Sequence, residues 1–482
     1  MKTKSPLTIL VWAVGILSTI LSTVFLIQNR SLFLDSLNLA RNICDRNFSG
    51  LIAPLDYQQS APLLFLWLSE AITSVFGYSE FTFRILPFIF GVLGLYVIYK
   101  VALRYLNRPW AIGVLLFVGT HLLYVRYSTE YKQYIGDVFV TLFLIYYYLK
   151  ITKIDQQSWW KIAFVWMLSI WLSMPSIFVI AAIFIHYFMK YRGDFDKRYV
   201  GILVAFVGLN FLANYYFILS PASDSSHMQN FHEVYFFRYD IWNLEAINQN
   251  INHIVSLMRM IVGKSGLAIG LGLASVFIAI YHWVKTKHID GLLLLLPICF
   301  SIGASLIGKY SMVQRLMLFT LPLFVIIIFY GCTRLWQSKW MRPVILLVLV
   351  VSYIQTSAWS SLYPKYELED NRSAIEYLAQ YGSDKGVHPV VCTNLSVASF
   401  DYYVNCRGTF DKDDFGELIK TEWDTDLVKT VSQMSQDGPV WMYLNHTHTE
   451  DRNAFADQLG NEVSIIERKE WEMSGLFLCK KH

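Results

Sequence analysis

The sequence predicts a polytopic α-helical membrane protein with a C-terminal α/β domain outside the membrane. Three observations lead there. Of 482 residues, 55% are hydrophobic and only 16% are charged, against about 25% charged in soluble domains. Apolar runs of spanning length recur from Leu7 to about residue 359, and beyond Ser360 the chain turns charged. The short loops on one side of the threaded runs are all basic, which sets a topology. The net charge of +4 sits mostly at helix ends, and no basic block is long enough for nucleic acid. The six cysteines contain no CxxC pair, which argues against a zinc or thioredoxin-type site.

Leu7 to Ile27 is the first spanning run, preceded by Lys2 and Lys4. It is too long for a signal peptide and no small-residue cleavage site follows, so it reads as an uncleaved helix with a cytoplasmic N-terminus. Residues 28–84 form a long outer loop with juxtamembrane helices. Asp35 stands early in it, in LFLDSLNLA, and the stretch around 61–76 is apolar but interrupted by Pro62, Glu70 and Gly77. Such a broken segment lies against the interface rather than crossing it.

The remaining spans fall near 85–104, 110–125, 136–150, 159–174, 176–189, 199–219, 266–284, 291–307, 316–333 and 343–359, which makes eleven with the first. Threaded alternately, they put Arg104/Arg108, Lys150/Lys153, Lys190/Arg192/Lys197/Arg198, Lys285/Lys287 and Arg334/Lys339/Arg342 on the cytoplasmic side. Counting 61–76 as a span would invert every one of these loops. Residues 1–359 are thus read as one membrane domain, with 220–264 as a second outer loop. Residues 360–482 form the extracytoplasmic domain, with strands at PVVCTN and GPVWMYL, helices at LEDNRSAIEYLAQY and TEDRNAFADQLG, and a hairpin turning at Met473–Gly475. In an oxidising compartment Cys392 and Cys406 could pair; two separate buried thiols fit equally well.

The threading gathers Asp35, the stretch RYSTEYKQYIGD (Arg126 to Asp137), the loop 220–264 and GKYSMVQR at the outer face. Ionisable groups at membrane depth cost several kcal/mol unless paired or solvated, so such a cluster is a functional-site hypothesis. If 126–137 were one helix, Arg126, Glu130, Gln133 and Asp137 would share a face. Carboxylates and cations converging there fit transfer from a lipid phosphate. Arg and Lys would bind the phosphate of a polyprenyl phosphate-linked sugar. Asp35 or Glu130 would take the proton of an acceptor hydroxyl, with inversion at the anomeric carbon. The alternative is a polytopic transporter of a glycan or lipid-linked substrate. That reading predicts ionisable residues near the midplane and paired repeats, which this chain does not display.

These stretches resemble bacterial GT-C superfamily membrane glycosyltransferases, specifically the protein-mannosyltransferase and lipid A aminoarabinose-transferase-like group (glycosyltransferase family 39-like). Four stretches carry the resemblance in order: LFLDSLNLA; QQSAPLLFLWLSEAITSVFGYSEFTFRILPF leading into the second span; YSTEYKQY; and GKYSMVQRLMLFTLPL. The resemblance implies a GT-C-type fold at a bacterial inner membrane and makes Asp35 the first-loop catalytic carboxylate. Glu130 becomes the second acidic residue, and Lys132 and Arg315 become donor-phosphate contacts. Arg126 joins those candidate phosphate ligands, and Asp56, Tyr57, Gln58 and Tyr134 are candidates for lining the substrate cavity. The implied partners are the lipid-linked donor, a glycan, lipid or protein acceptor, and membrane lipids. Asp35 is followed by Ser36 where many members have an acidic pair, and one Asp plus one Glu is a thin ligand set for Mg²⁺ or Mn²⁺. No residue is assigned to a metal, and a divalent cation stays only a candidate cofactor.

Each assignment has a plainer counterpart. Asp35 would serve as the N-cap of a helix through SLNLARNI. Glu130 would pair with Arg126 one turn away. Lys132 would snorkel to headgroups. Arg315 would be an interfacial anchor, though basic residues are disfavoured on that side. His446-Thr-His448-Thr-Glu450 reads as a polar loop capped by Thr449 rather than a metal site, which needs more placed ligands. The loop 220–264, with His227, His232, Glu233, Tyr235 and Arg238, would cover the cavity as a lid.

Overall fold

The computed structural model describes residues 6–220, 226–240, 242–362, 368–421 and 425–482; Lys2 and Lys4 lie outside them. Each of the eleven expected spans coincides with helical structure, except that the one near 110–125 is broken between two helices at Thr120 and His121. The first ten helices are α1 (Pro6–Ile27), α2 (Leu34–Asp45), α3 (Leu63–Phe76), α4 (Glu80–Tyr105), α5 (Arg108–Gly119), α6 (Leu122–Tyr127), α7 (Tyr134–Leu149), α8 (Trp159–Leu172), α9 (Ser176–Tyr191) and α10 (Lys197–Asn214). Among the described residues six helices are long and apolar enough to cross a membrane: α1, α4, α10 with its continuation to Leu219, Gly266–Thr286, Ile289–Leu306 and Leu316–Leu335. The other five predicted spans are apolar helices of 12 to 16 residues, about 18–24 Å long and shorter than a hydrocarbon core of about 30 Å. The interrupted segment after Pro62 is the 14-residue α3, closed by Gly77 at φ +79°. That left-handed geometry favours glycine.

Charge and sterics explain the helix ends. Ser79 and Asn107 accept hydrogen bonds from the first-turn amides of α4 and α5, as N-caps do. The helix Leu321–Leu335 is apolar all round, and every residue from Leu321 to Cys332 is buried, as expected of a central helix. At Gly331 a Cβ would run into the backbone of Ser275, so the two helices meet at backbone distance.

The two faces predicted by the basic loops come together as two ends. At one end Arg104 binds Asp290 at 2.5 Å and Lys153 binds Asp194 at 2.8 Å. At the other, residues of the outer loop 28–84 meet residues near 130 and 315, and Met312 in turn meets Tyr235. The segment 220–264 is not a simple loop: where described, it carries the helices Ser226–Glu233 and Leu244–Val262. The side chain of His227 is outside the described set.

Beyond the last membrane helix lies a five-stranded sheet in the order β2-β1-β3-β5-β4. Its strands are β1 (Val390–Thr393), β2 (Leu418–Thr421), β3 (Val440–Asn445), β4 (Val463–Trp471) and β5 (Ser474–Lys481). β1 runs parallel to both β2 and β3, while β5 is antiparallel to β3 and β4. The expected strands, the two helices (Asn371–Lys385 and Thr449–Gly460) and the terminal hairpin are all present. β2 and the helical run 394–406 were not foreseen. Thr449 is not the cap of its helix: His448 occupies the N-cap and its N–H bonds Asp451 at 3.3 Å.

This domain is bolted to α2. Cys406 pairs with Cys44 at the end of α2, not with Cys392. Cys392 is a buried free thiol in β1. Asp401 forms an ion pair with Arg41, and Arg41 in turn lies 3.7 Å from the Tyr57 ring centroid. Glu80, at the start of α4 and fully buried, receives Arg372 at 2.6 Å, Arg407 at 3.0 Å and the Tyr403 hydroxyl at 3.1 Å. A buried carboxylate needs such partners.

Candidate functional site

The site is built where three chain segments converge. The chain leaves α1, is extended through Phe33, and enters α2 with Asp35 in its first turn. Asp35 is therefore the second residue of the helix and not its cap; Phe33 holds that position without a capping side chain. The stretch 126–137 is not one helix. α6 ends at Tyr127, a tight turn follows, and α7 begins at Tyr134. The common face expected of Arg126, Glu130, Gln133 and Asp137 consequently does not exist. The turn is fixed by the Ser128 hydroxyl on the Tyr124 carbonyl (2.7 Å) and the Lys132 amide on the Glu130 carbonyl (2.8 Å). The third segment, 308–315, leads into the buried central helix and ends on Arg315.

Arg315 Nη1 donates to Asp35 Oδ2 at 2.5 Å, joining residues 280 apart. Both side chains stay partly open, Arg315 at 27% and Asp35 at 33% exposure. Glu130 is buried and accepts from the hydroxyl of Ser36, the residue beside Asp35, at 2.5 Å. Lys132 is buried and donates to Gln59 Oε1 at 2.6 Å, while Gln133 Nε2 donates to the Ser60 carbonyl at 3.3 Å. Burial alone would raise the Asp35 carboxyl. The charges of Lys132 and Arg315, with His446 adding to them, outweigh it and hold the carboxyl below the usual range. Burial pushes the Lys132 ammonium down to about 8, against the opposing pull of Asp35.

The other candidates are placed as follows. Arg126 is half-buried with its guanidinium 5.1 Å from the Tyr127 ring. Tyr134 is buried and packs edge-on to Tyr127 at 5.2 Å. Asp56 is exposed and binds Arg46 at 2.6 Å, which braces the loop. Tyr57 stacks on Arg41. Tyr57 and Gln58 are consecutive non-glycine residues at φ +58° and +56°, a strained conformation that accumulates at functional sites. Gln58 and Gln59 line a cavity of about 180 Å³ closed by Pro54, Leu66, Phe217 and Ile218. Of the four cavity candidates, only Gln58 lines it.

The sequence reading names the loop 220–264 with His232 and Tyr235, and the loop at His446, but not the contacts they make and not Phe231. Phe231 lies 6.0 Å from the Arg315 guanidinium, and Met312 N bonds the Tyr235 carbonyl at 3.0 Å, so residues 231–235 pack beside Arg315 and the segment that carries it. His232 is held below the ordinary imidazole value by burial and by Arg315. His446, taken as part of a polar loop, approaches the site from the C-terminal domain: its ring is 5.3 Å from that of Phe33. None of these contacts has a local sequence signal, because each joins segments far apart in the chain.

Among the described residues no group of three or more His, Cys, Asp and Glu could hold a metal ion. The donor set argues the same way. The carboxylates at the site are one Asp engaged by a guanidinium and one Glu engaged by a hydroxyl. A buried ammonium and Arg315 beside them supply the positive charge that a divalent cation would bring. These residues do not fit an Mg²⁺ or Mn²⁺ site.

Residues 60–217 match the family model for dolichyl-phosphate-mannose-protein mannosyltransferases, 158 of the 482 residues. No curated protein sequence matches the chain. Among solved structures, ArnT from Cupriavidus metallidurans in the apo state matches with a TM-score of 0.55 at 12% identity, over 98% of this chain and 97% of that one. An Archaeoglobus fulgidus oligosaccharyltransferase solved with Zn and sulfate gives 0.55 at 12% identity, over 93% of this chain and 70% of that one. AglB from Archaeoglobus fulgidus, solved with an inhibitory peptide and a dolichol-phosphate, gives 0.51 at 10% identity, covering 90% and 69%. At these identities the likeness establishes the fold, which is of the GT-C type.

Proposed function

We propose that this chain is an integral-membrane glycosyltransferase that moves a sugar from a polyprenyl phosphate-linked donor to an acceptor hydroxyl. The observation that carries the reading is the meeting of Asp35, Lys132 and Arg315 from three distant segments at one end of an apolar helical bundle. The match to a mannosyltransferase family model over residues 60–217 supports the reaction class. A structural neighbour solved with dolichol-phosphate supports a lipid phosphate as donor carrier. The acceptor is a glycan, lipid or protein.

Without donor, Arg315 and Asp35 satisfy each other. A phosphate entering beside them offers Arg315 a bidentate partner and Lys132 a second anion. Arg315 then turns to the phosphate and the Asp35 carboxylate is released. Freed of its guanidinium, it becomes more basic and accepts the proton of the incoming hydroxyl as that oxygen bonds the anomeric carbon. The bond from that carbon to the phosphate oxygen breaks, its electron pair stays on the phosphate, and Arg315 and Lys132 stabilise the charge. Attack opposite the leaving group inverts the anomeric centre. Glu130, buried against Ser36, fixes the 128–133 turn next to Asp35. No step passes through a metal.

In this reading the N-terminus is cytoplasmic and transfer takes place at the outer face of a bacterial inner membrane, by the basic-loop asymmetry. The test is sugar transfer in proteoliposomes with a panel of radiolabelled polyprenyl phosphate-sugars and crude membrane acceptors. Transfer with release of free polyprenyl phosphate is expected for at least one donor. Movement of intact labelled solute across the bilayer, with no transfer from any donor, would replace the reading with transport.

A further inference from the structure

The N-terminus of α2 is capped from 335 residues away. Phe33 occupies the N-cap and contributes no side-chain bond. In its place Glu369 Oε2 accepts the Leu34 amide at 2.8 Å, an acceptor that also suits the positive end of the helix dipole. Glu369 is 1% exposed, and its neighbours continue the clamp. Asp370 Oδ1 accepts from the Ser31 hydroxyl at 3.1 Å, Asn371 Nδ2 donates to the Leu32 carbonyl at 3.0 Å, and Arg372 Nη2 donates to the Asn29 carbonyl at 2.9 Å. Four consecutive residues of the C-terminal domain thus grip residues 29–34, the stretch that delivers Asp35.

His446 completes the arrangement. It follows β3 directly at φ +60°, a costly backbone state for a non-glycine residue that persists only where the surroundings impose it. Its Nδ1 stands 3.7 Å from Glu369 Oε2, too long for a hydrogen bond but close enough for charge attraction. Its ring packs edge-on against Phe33, two residues from Asp35. The far end of α2 is fixed by Cys44–Cys406 and Arg41–Asp401.

We propose that Glu369, braced by His446, is a positioning residue of the transfer site: the C-terminal domain sets the start of α2 and thereby the place of Asp35 opposite Arg315. This inference rests on the transferase reading. Neither residue touches the reacting atoms, and Glu369 acts through the Leu34 amide. A displacement of about 1 Å at a reacting group can cost on the order of 100-fold in rate, so a cap that sets the helix start has leverage over turnover.

The experiment uses full-length protein in proteoliposomes and compares Glu369→Ala, Glu369→Gln and His446→Ala with wild type. Hydrogen exchange over residues 29–45 is read without substrate; kcat and KM are read with the radiolabelled polyprenyl phosphate-sugar that the wild type uses. Glu369→Ala is expected to expose 29–45 to faster exchange and to lower kcat by about 10- to 100-fold, with donor KM within about twofold. Gln keeps an acceptor oxygen for the Leu34 amide, so Glu369→Gln is expected to restore kcat to within about threefold of wild type. His446→Ala is expected to lower kcat in the same direction by a smaller factor. Unchanged kcat in Glu369→Ala, a Glu369→Gln protein as slow as Glu369→Ala, or a loss carried by donor KM would each overturn the proposal. Unchanged kcat in His446→Ala would overturn the brace. If Glu369→Ala fails to form Cys44–Cys406, Glu369→Gln decides alone: a loss of more than about tenfold there refutes the cap. A wild type that transfers nothing refutes the transferase reading, and the exchange result still judges the clamp.

Discussion

Replacing Asp35 by Asn separates a catalytic carboxylate from a binding one. The substitution keeps shape and removes charge. In the free protein that charge neutralises Arg315 at 2.5 Å, and both side chains are about one-third exposed. A partly solvated pair of this kind is worth up to about 1 kcal/mol. That much of the pairing energy opposes donor binding, because the phosphate must take Arg315 from Asp35. Asp35→Asn removes the opposition, so polyprenyl phosphate without sugar is expected to bind as well as to wild type, or tighter by up to about fivefold. Turnover should fall by about 10²–10⁴-fold, the usual cost of losing a general base. The assay pairs equilibrium binding of polyprenyl phosphate with single-turnover transfer from the radiolabelled donor. Weaker lipid phosphate binding together with near-normal turnover would refute both the base assignment and the competition between carboxylate and phosphate.

The remaining predictions concern the groups around that pair. Lys132 loses its proton as pH rises through about 8. Polyprenyl phosphate affinity should therefore fall across that pH by on the order of tenfold, the cost of removing one charge-assisted hydrogen bond. Lys132→Arg should remove this alkaline limb in binding isotherms, since a guanidinium stays charged. Peptide mapping without reduction should find the Cys44 and Cys406 peptides joined and Cys392 free. Cys44→Ser should lower stability by about 2–4 kcal/mol, read as a lower Tm in detergent. Glu80→Gln leaves Arg372 and Arg407 facing a neutral amide at a fully buried position; it should cost about 3–5 kcal/mol by the same measurement.

Much of the membrane part was legible because its signal is local. Runs such as Leu7–Ile27 are apolar over the length a bilayer demands, and basic loops mark one side. The segment interrupted by Pro62, Glu70 and Gly77 forms the short helix α3, an apolar helix of the same length class as five of the predicted spans. The strands at 390–393 and 440–445 and the closing hairpin were visible from alternation and turn residues. Where the reading failed, it had extended a local rule across a break. The i, i+4 spacing of Arg126 and Glu130 assumed a continuous helix, and the Ser128–Lys132 turn ends it. Cys392 and Cys406 are near in sequence, but β1 buries the first and the following helical run carries the second to Cys44.

What the sequence determined by itself is the solvent of each segment: which runs require lipid, which loops stay on the basic side, and where the chain returns to water. Hydrophobicity and charge are properties of single residues, so they survive without a fold. Only the tertiary structure decided partners. Asp35 was nominated by its place in the chain, but it meets Arg315 across 280 residues. Its helix is capped by Glu369 across 335, and His446 arrives from a loop that read as ordinary. A hydrogen bond or ion pair of a few ångströms exists only once distant segments have been packed into register, and no spacing along the chain encodes that distance.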